Sequence, residues 1–191
     1  MTTGAILLAA GFSRRFGSIK LNAVMADGRT VFQHTSHVLQ SAVSEIIVVT
    51  RPALLAAGVL ENSGFHPSQT VLCHDAELGM GHSLACGIRA LPAHWDACLI
   101  CLGDMPRIKT ETLLQLQQAA SPHRIIVPGF NQQRGHPICF GRDFFAELAT
   151  SQGDTGGRDI IKRHATCVQL LPVNDAGVVQ DIDTPEDLSA C

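Results

Sequence analysis

A three-layer α/β architecture, a mostly parallel sheet with helices on both faces, is expected from three features of this chain. Short runs rich in Ile, Val and Leu alternate with helix-periodic segments, the runs at 5–10 and 97–102 are apolar throughout, and no repeat or low-complexity stretch interrupts the succession. Continuous apolar strands are those buried on both faces, as inside a parallel sheet. With 191 residues and 46% hydrophobic content, the chain buries one sizeable core and is short for two, so a single domain over 1–191 is expected.

The elements follow in order. Residues 5–10 form a first strand; 31–43 have helical spacing, with Phe32, Thr35, Val38, Leu39 and Ala42 on one face; and 45–50 is a second strand. Pro52 suits the first turn of a helix reaching about 62, where a missing N–H costs nothing. A brief strand at 70–74, a helix at 83–91 and the apolar strand at 97–102 come next, and Thr110 is read as capping a helix to about 120. Strands at 124–127 and 137–140 flank a polar, glycine-bearing turn at 129–135, an irregular addition to the parallel pattern. Residues 142–150 and 158–164 read as helices and 166–172 as strand-like. At the end, Thr184 has the form of an N-cap, Pro185 of a first helical residue, and Glu186 and Asp187 of first-turn anions.

A formal net charge of −3 and a pI near 6.3 argue against a nucleic-acid or anionic-membrane binder, which needs a clustered excess of Lys and Arg. No apolar run approaches the ~20 residues of a membrane span, and the N-terminus lacks a signal peptide's charged region and cleavage site, so a cytoplasmic location is expected. The seven cysteines are odd in number and scattered through apolar segments, which favours reduced, mostly buried thiols. Cys98 and Cys101 are spaced as C-x-x-C, but three residues apart on a strand they face opposite ways and read as core. His34 and His37, opposite the apolar face of their helix and without a third ligand, read as a solvated surface.

Chemistry enters where the first strand ends. Leu8-Ala9-Ala10-Gly11-Phe12-Ser13-Arg14-Arg15-Phe16-Gly17-Ser18-Ile19-Lys20 places two glycines, serines and three cations directly after an apolar run. Gly11 and Ser13 free backbone N–H groups for an anion, and Arg15 and Lys20 add charge-assisted hydrogen bonds, as a triphosphate requires. The spacing G-x-S-x-R-x-G-x-x-K matches neither the dinucleotide fingerprint nor the P-loop. In open α/β sheets this loop lies at the carboxyl edge, where ligands bind.

Asp104, in Gly103-Asp104-Met105-Pro106 at the end of the most hydrophobic strand, belongs on the same edge. It is suited to Mg²⁺, which takes one or two carboxylates plus phosphates and waters, although a turn-forming Asp has the same local signature. Asp181-Ile182-Asp183-Thr184-Pro185-Glu186-Asp187 offers the partner acid. Residues 181 and 183 point the same way if the segment is extended, which leaves both open as the second ligand.

The loop at 8–20, Gly79-Met80-Gly81-His82-Ser83-Leu84, Gly103-Asp104-Met105-Pro106, Gly135-His136-Pro137, Gly153-Asp154-Thr155-Gly156-Gly157-Arg158 and the 181–187 segment occur in the order seen in MobA-like nucleotidyltransferases. The chain most resembles the molybdenum cofactor cytidylyltransferase branch, and the resemblance covers almost its whole length. It implies a nucleotide-diphospho-sugar transferase-like, Rossmann-like fold with an N-terminal nucleotide-binding half and an acceptor side over about 104–191. It further implies Mg²⁺-dependent transfer of CMP from CTP to the phosphate of molybdenum-loaded molybdopterin, with release of pyrophosphate. By resemblance, Leu8, Ala9, Ala10, Gly11, Ser13, Arg15 and Lys20 hold the nucleotide, with Arg15, Lys20 and Asp104 catalytic. Gly79, Gly81 and Ser83 border base and ribose; Asp104 and Asp183 hold the metal; Gly135, His136, Pro137, Asp154, Gly156 and Arg158 face the acceptor. Ala9-Ala10-Gly11 resembles cytidylyl members, whereas guanylyl members usually carry Leu-Ala-Gly-Gly. Phe16 departs from a frequent Met, and His74-Asp75 stands where many relatives have Asn-Pro.

Other readings stay open at this stage. The acceptor could instead be a sugar or polyol phosphate, or the donor GTP. Some relatives are described as flavin-dependent oxidoreductases, and a non-catalytic carrier of the molybdenum cofactor would need no pair of acids. A molybdenum hydroxylase would be the recipient of the product.

Overall fold

The structure, a computed structural model, describes residues 1–189. Eight strands form one mixed, mostly parallel sheet: β1 (Thr3–Ala9), β2 (Ile46–Thr50), β3 (Thr70–Leu72), β4 (Ala97–Leu102), β5 (Ile125–Phe130), β6 (Gln133–Arg134), β7 (Ile138–Gly141) and β8 (Val168–Pro172). Their order is β3-β2-β1-β4-β7-β5-β6, with β8 pairing β5. β1 pairs in parallel with β2 and β4, in a register that sets Ala5 beside Ile46 and Leu99.

Side chains alternate along β1, so Ala5, Leu7 and Ala9 feed one core and Ile6, Leu8 and Ala10 the other. The first core is covered by α1 (Val31–Ala42), α2 (Pro52–Ala56) and α4 (Thr110–Ala119), through Phe32, Leu39, Leu54, Leu113 and Leu116. The second is covered by α3 (Met80–Arg89), α5 (Phe145–Leu148) and α6 (Arg158–Arg163), through Leu84, Ile88, Leu148 and Ile160. The short α7 (Glu186–Ser189) ends the described chain, with Leu188 packed against the first core. Cys98 and Cys101 fall in opposite cores, as their strand spacing requires, and burial raises both thiols; Cys139 is likewise pushed up to about 12. Among the described residues no helix is long and apolar enough to cross a membrane.

Several boundaries differ from the sequence reading. α2 stops at Ala56 instead of near 62, because Gly58 adopts φ +73° and turns the chain away. α3 begins at Met80, three residues before the expected Ser83, immediately after Gly79 at φ +120°. Residues 142–150 divide into a 3₁₀ turn, Arg142–Phe144, followed by the single-turn α5. Thr110 is the first residue of α4 and not its cap; the Lys109 amide is met by the carboxylate of Asp175, 2.9 Å away. At α7 the capping also runs in reverse: the backbone N–H groups of Asp183 and Thr184 donate to Asp187, whose carboxyl they hold below the usual range.

The expected irregular addition is the antiparallel part of the sheet. β7 runs against β4 and β5, and β5 continues into β6 through Asn131 and Gln132, both at positive φ (47° and 66°), as a tight two-residue hairpin requires. Because β7 is reversed, residues 135–137 arrive at the carboxyl ends of β1 and β4. The segment leaving β8 reaches the same edge.

Candidate active site

Two backbone contacts assemble this edge. The Gly103 N–H donates to the Leu8 carbonyl at 2.9 Å, so the exit of β4 lies against the end of β1. The Ile182 N–H donates to the Asp104 carbonyl, also at 2.9 Å, and Ile182 is wholly buried. Asp181 and Asp183, flanking that anchored residue, then project beside Asp104. One carboxylate oxygen from each of Asp104, Asp181 and Asp183 lies within 4.8 Å of the others, so both acids left open by the sequence join Asp104.

Lys20 is set into this acidic group. Its Nζ is 2.6 Å from Asp104 Oδ2 and 3.0 Å from Asp183 Oδ1, while Arg15 Nη1 meets Asp183 Oδ2 at 2.9 Å. Burial pulls the Lys20 ammonium down, but the charges and hydrogen bonds of Asp104 and Asp183 together outweigh it and leave the group raised. A partly buried cation at hydrogen-bond distance from two of three convergent carboxylates shows that this point of the cleft selects positive charge. Hard oxygen donors at this spacing fit a divalent ion such as Mg²⁺ or Mn²⁺.

The loop between β1 and Lys20 folds back on itself. Ser13, at φ +50°, turns its hydroxyl to accept from the Lys20 N–H at 3.2 Å, so its side chain shapes the loop from within. Phe12 is 40% exposed and lies under the Arg51 guanidinium, 4.3 Å from the ring centroid. Gly11 has open space where a side chain would stand.

The loop and acids line a cleft of about 1160 Å³. Of the residues expected from the sequence, Leu8, Ala9, Ala10, Gly11, Ser13, Arg15, Lys20, Gly79, Ser83, Asp104, Gly135, His136, Asp154, Arg158 and Asp183 line it. Gly81, Pro137 and Gly156 are not among the residues that line it. Gly81 donates its N–H to the Gly153 carbonyl at 2.7 Å, and a Cβ there would lie 2.6 Å from the Gln152 carbonyl oxygen. It therefore joins the start of α3 to the loop before α6. Gly79 lies equally close, 2.4 Å from Gly153 by the same measure.

On the far side, the His136 N–H donates to the Val178 carbonyl at 2.8 Å. Gly135 lets that approach happen, since a Cβ would lie 2.3 Å from the same oxygen. Burial, with the nearby Arg158 charge, lowers the His136 imidazole below its usual range against an opposing pull from Asp181, which favours the uncharged ring. Arg134 and Lys162 also line this half and were not singled out in the sequence. Arg134 was hidden in a segment read only as a turn; Lys162 was legible as the i+4 neighbour of Arg158 on α6.

A doubly wound sheet with a phosphate-type loop, convergent acids and cations on both halves of one cleft at its carboxyl edge defines a nucleotide-handling α/β transferase. Residues 5–168 match the MobA-like NTP transferase domain, and the chain belongs to that family. It is 30% identical over 190 residues to the purine catabolism protein PucB of Bacillus subtilis, covering 95% of this chain and 92% of that one. The probable molybdenum cofactor guanylyltransferase of Methanosarcina acetivorans is 27% identical over 133 residues, 68% of this chain and 58% of that one. Among solved structures, Rv0371c of Mycobacterium tuberculosis superimposes with a TM-score of 0.85 at 26% identity, covering 99% and 96% of the two chains. A complex of Rv0371c with manganese gives 0.80 at 25% identity, over 100% and 97%.

Proposed function

We propose that the protein transfers CMP from CTP to the phosphate of molybdenum-loaded molybdopterin, using Mg²⁺ and releasing pyrophosphate. The observation that carries this reading is the pairing of two cation groups in one cleft. Arg14, Arg15 and Lys20 come from the loop after β1, and Arg134, Arg158 and Lys162 from β6 and α6. Two separate anionic substrates are what such a cleft would accommodate, and Asp104, Asp181 and Asp183 line it with both cation groups.

The reaction joins an oxygen of the acceptor's phosphate to the α-phosphorus of CTP and breaks the bond from that phosphorus to the α,β-bridging oxygen. A phosphate monoester has a second pKa near ~6, so at neutral pH it is largely dianionic and needs no protein base. Catalysis then rests on alignment and charge. Lys20 and Arg15 would hold the leaving pyrophosphate, and the backbone after Ala10 would receive the phosphates. Asp104, Asp181 and Asp183 would hold the metal, which supplies Lewis-acid neutralisation of the triphosphate oxygens. His136, whose uncharged form is favoured by burial and by the Arg158 charge, would offer a ring N–H to an oxo or pterin acceptor atom.

Ala10 favours cytosine on steric grounds, since its methyl group narrows the wall where the glycine of guanylyl members leaves room. GTP is the competing donor because of the guanylyltransferase among the relatives. Incubation with Mg²⁺, molybdenum-loaded molybdopterin and either nucleotide, followed by pyrophosphate assay and mass spectrometry of the dinucleotide, decides between them. Acceptor-dependent CMP attachment with CTP alone is expected. Transfer of GMP overturns the base assignment, and failure with both nucleotides overturns the acceptor.

A further inference from the structure

The oxygens suited to a metal are already engaged from within the chain. Asp183 is paired on both oxygens, with Lys20 on one and Arg15 on the other, and Lys20 also bridges to Asp104. Lys20 and Asp104 are shielded, their side chains 12% and 18% exposed, so their attraction is screened far less than a surface pair's. The local balance is three carboxylates against two cations. Adding a divalent ion alone would make the group net positive and set it against an ammonium bonded to the same acids. A triphosphate changes this, because it offers Lys20 and Arg15 a second polyanion beside the first.

We infer that Lys20, assisted by Arg15, is an internal counter-ion that occupies the acids until a triphosphate draws it away, so that metal and nucleotide enter as a coupled pair. The inference rests on the metal assignment proposed above. It gives Lys20 opposite effects in two assays: it supports turnover but opposes binding of metal alone. Coupling of this kind is reciprocal, so metal strengthens nucleotide binding by the same factor that nucleotide strengthens metal binding.

Water-proton relaxation enhancement by Mn²⁺ reads the metal bound to protein and can be followed with and without CTP, with acceptor omitted so that no transfer occurs. In the unaltered protein Mn²⁺ alone should bind weakly and tighten at least tenfold when CTP is added. Lys20→Met should tighten Mn²⁺ alone at least tenfold and shrink the further gain from CTP. Arg15→Gln, at a side chain 77% exposed and so harmless to folding, should move Mn²⁺ binding the same way by about threefold. Unchanged or weaker Mn²⁺ binding in both variants overturns the counter-ion role. The double variant Lys20→Met with Asp104→Asn separates that result from failure of the metal assignment. Loss of the gain keeps the ion at the acids, whereas persistence of the gain moves the ion elsewhere and overturns both.

Discussion

The carboxylate of Asp175, 1% exposed, accepts a 2.7 Å hydrogen bond from the hydroxyl of Thr112. The same group accepts from the Lys109 N–H and, across its own turn, from the Gly177 N–H at 2.9 Å each. One buried acid thus ties the start of α4 to the turn whose Val178 carbonyl anchors His136. Asp175→Ala leaves those donors unsatisfied and should cost about 3 kcal/mol, since buried hydrogen bonds to charged groups are worth ~1.5–3 kcal/mol each and do not add fully. For a chain of this size that lowers the melting temperature by about 6–12 °C, measurable by calorimetry. An unchanged melting curve would show the network to be idle.

Asp104→Asn removes charge from the acid cluster while keeping the side chain's shape. Turnover should fall by at least ~10²-fold with little change in melting temperature, measured as pyrophosphate release alongside a thermal melt. Normal turnover by the folded variant would remove Asp104 from the reaction.

Gly81→Ala tests the seam between the halves. The added methyl meets the Gln152 backbone, which cannot move aside as a flexible side chain would, so the 152–154 loop must shift. A stability loss of about 1–3 kcal/mol is expected, with a raised KM for the acceptor, because that loop leads into Asp154 and Arg158. Steady-state kinetics that match the parent would show that the seam has no bearing on the cleft.

His136 sets a pH dependence. Its folded-state value is lowered by burial and by Arg158, so the unfolded chain takes up this proton first as pH falls. Its contribution to stability is therefore intact above the ordinary imidazole pKa of ~6.5 and is lost as pH falls from there through the lowered folded value. His136→Gln should flatten the decline in melting temperature over that acidic window, and an equally steep decline would assign it to other groups.

The loop from Gly11 to Lys20 and Asp104 at a strand end were legible because each rests on local chemistry after an apolar strand, and Asp181 and Asp183 because residues two apart on an extended segment face the same way. What escaped depends on partners distant in the chain. Asp175 looks like an ordinary loop acid until Lys109 and Thr112 are brought to it, and Thr110 looked like a cap only because that donor–acceptor pair was invisible. Gly81 belongs to a glycine-bearing motif beside Ser83, and its contact with Gln152 and Gly153 exists only once α3 and α6 share a face. The salt bridges from Lys20 and Arg15 to Asp183 likewise have no local signature. The hairpin at Asn131 and Gln132 lacks the Asn-Gly pair that marks such turns, so β6 was absorbed into the polar turn read at 129–135.

The reversal of β7 carries a consequence for how such an enzyme diversifies. A parallel strand there would need a crossover connection and would bring its last residues, not those before its first, to the substrate edge. The antiparallel hairpin delivers Arg134, Gly135 and His136 directly, from a segment distant in sequence from the loop after β1. On the function proposed above, insertions or substitutions at this hairpin would alter the acceptor side of the cleft and leave the loop after β1 untouched, which makes it the natural place to engineer a new acceptor.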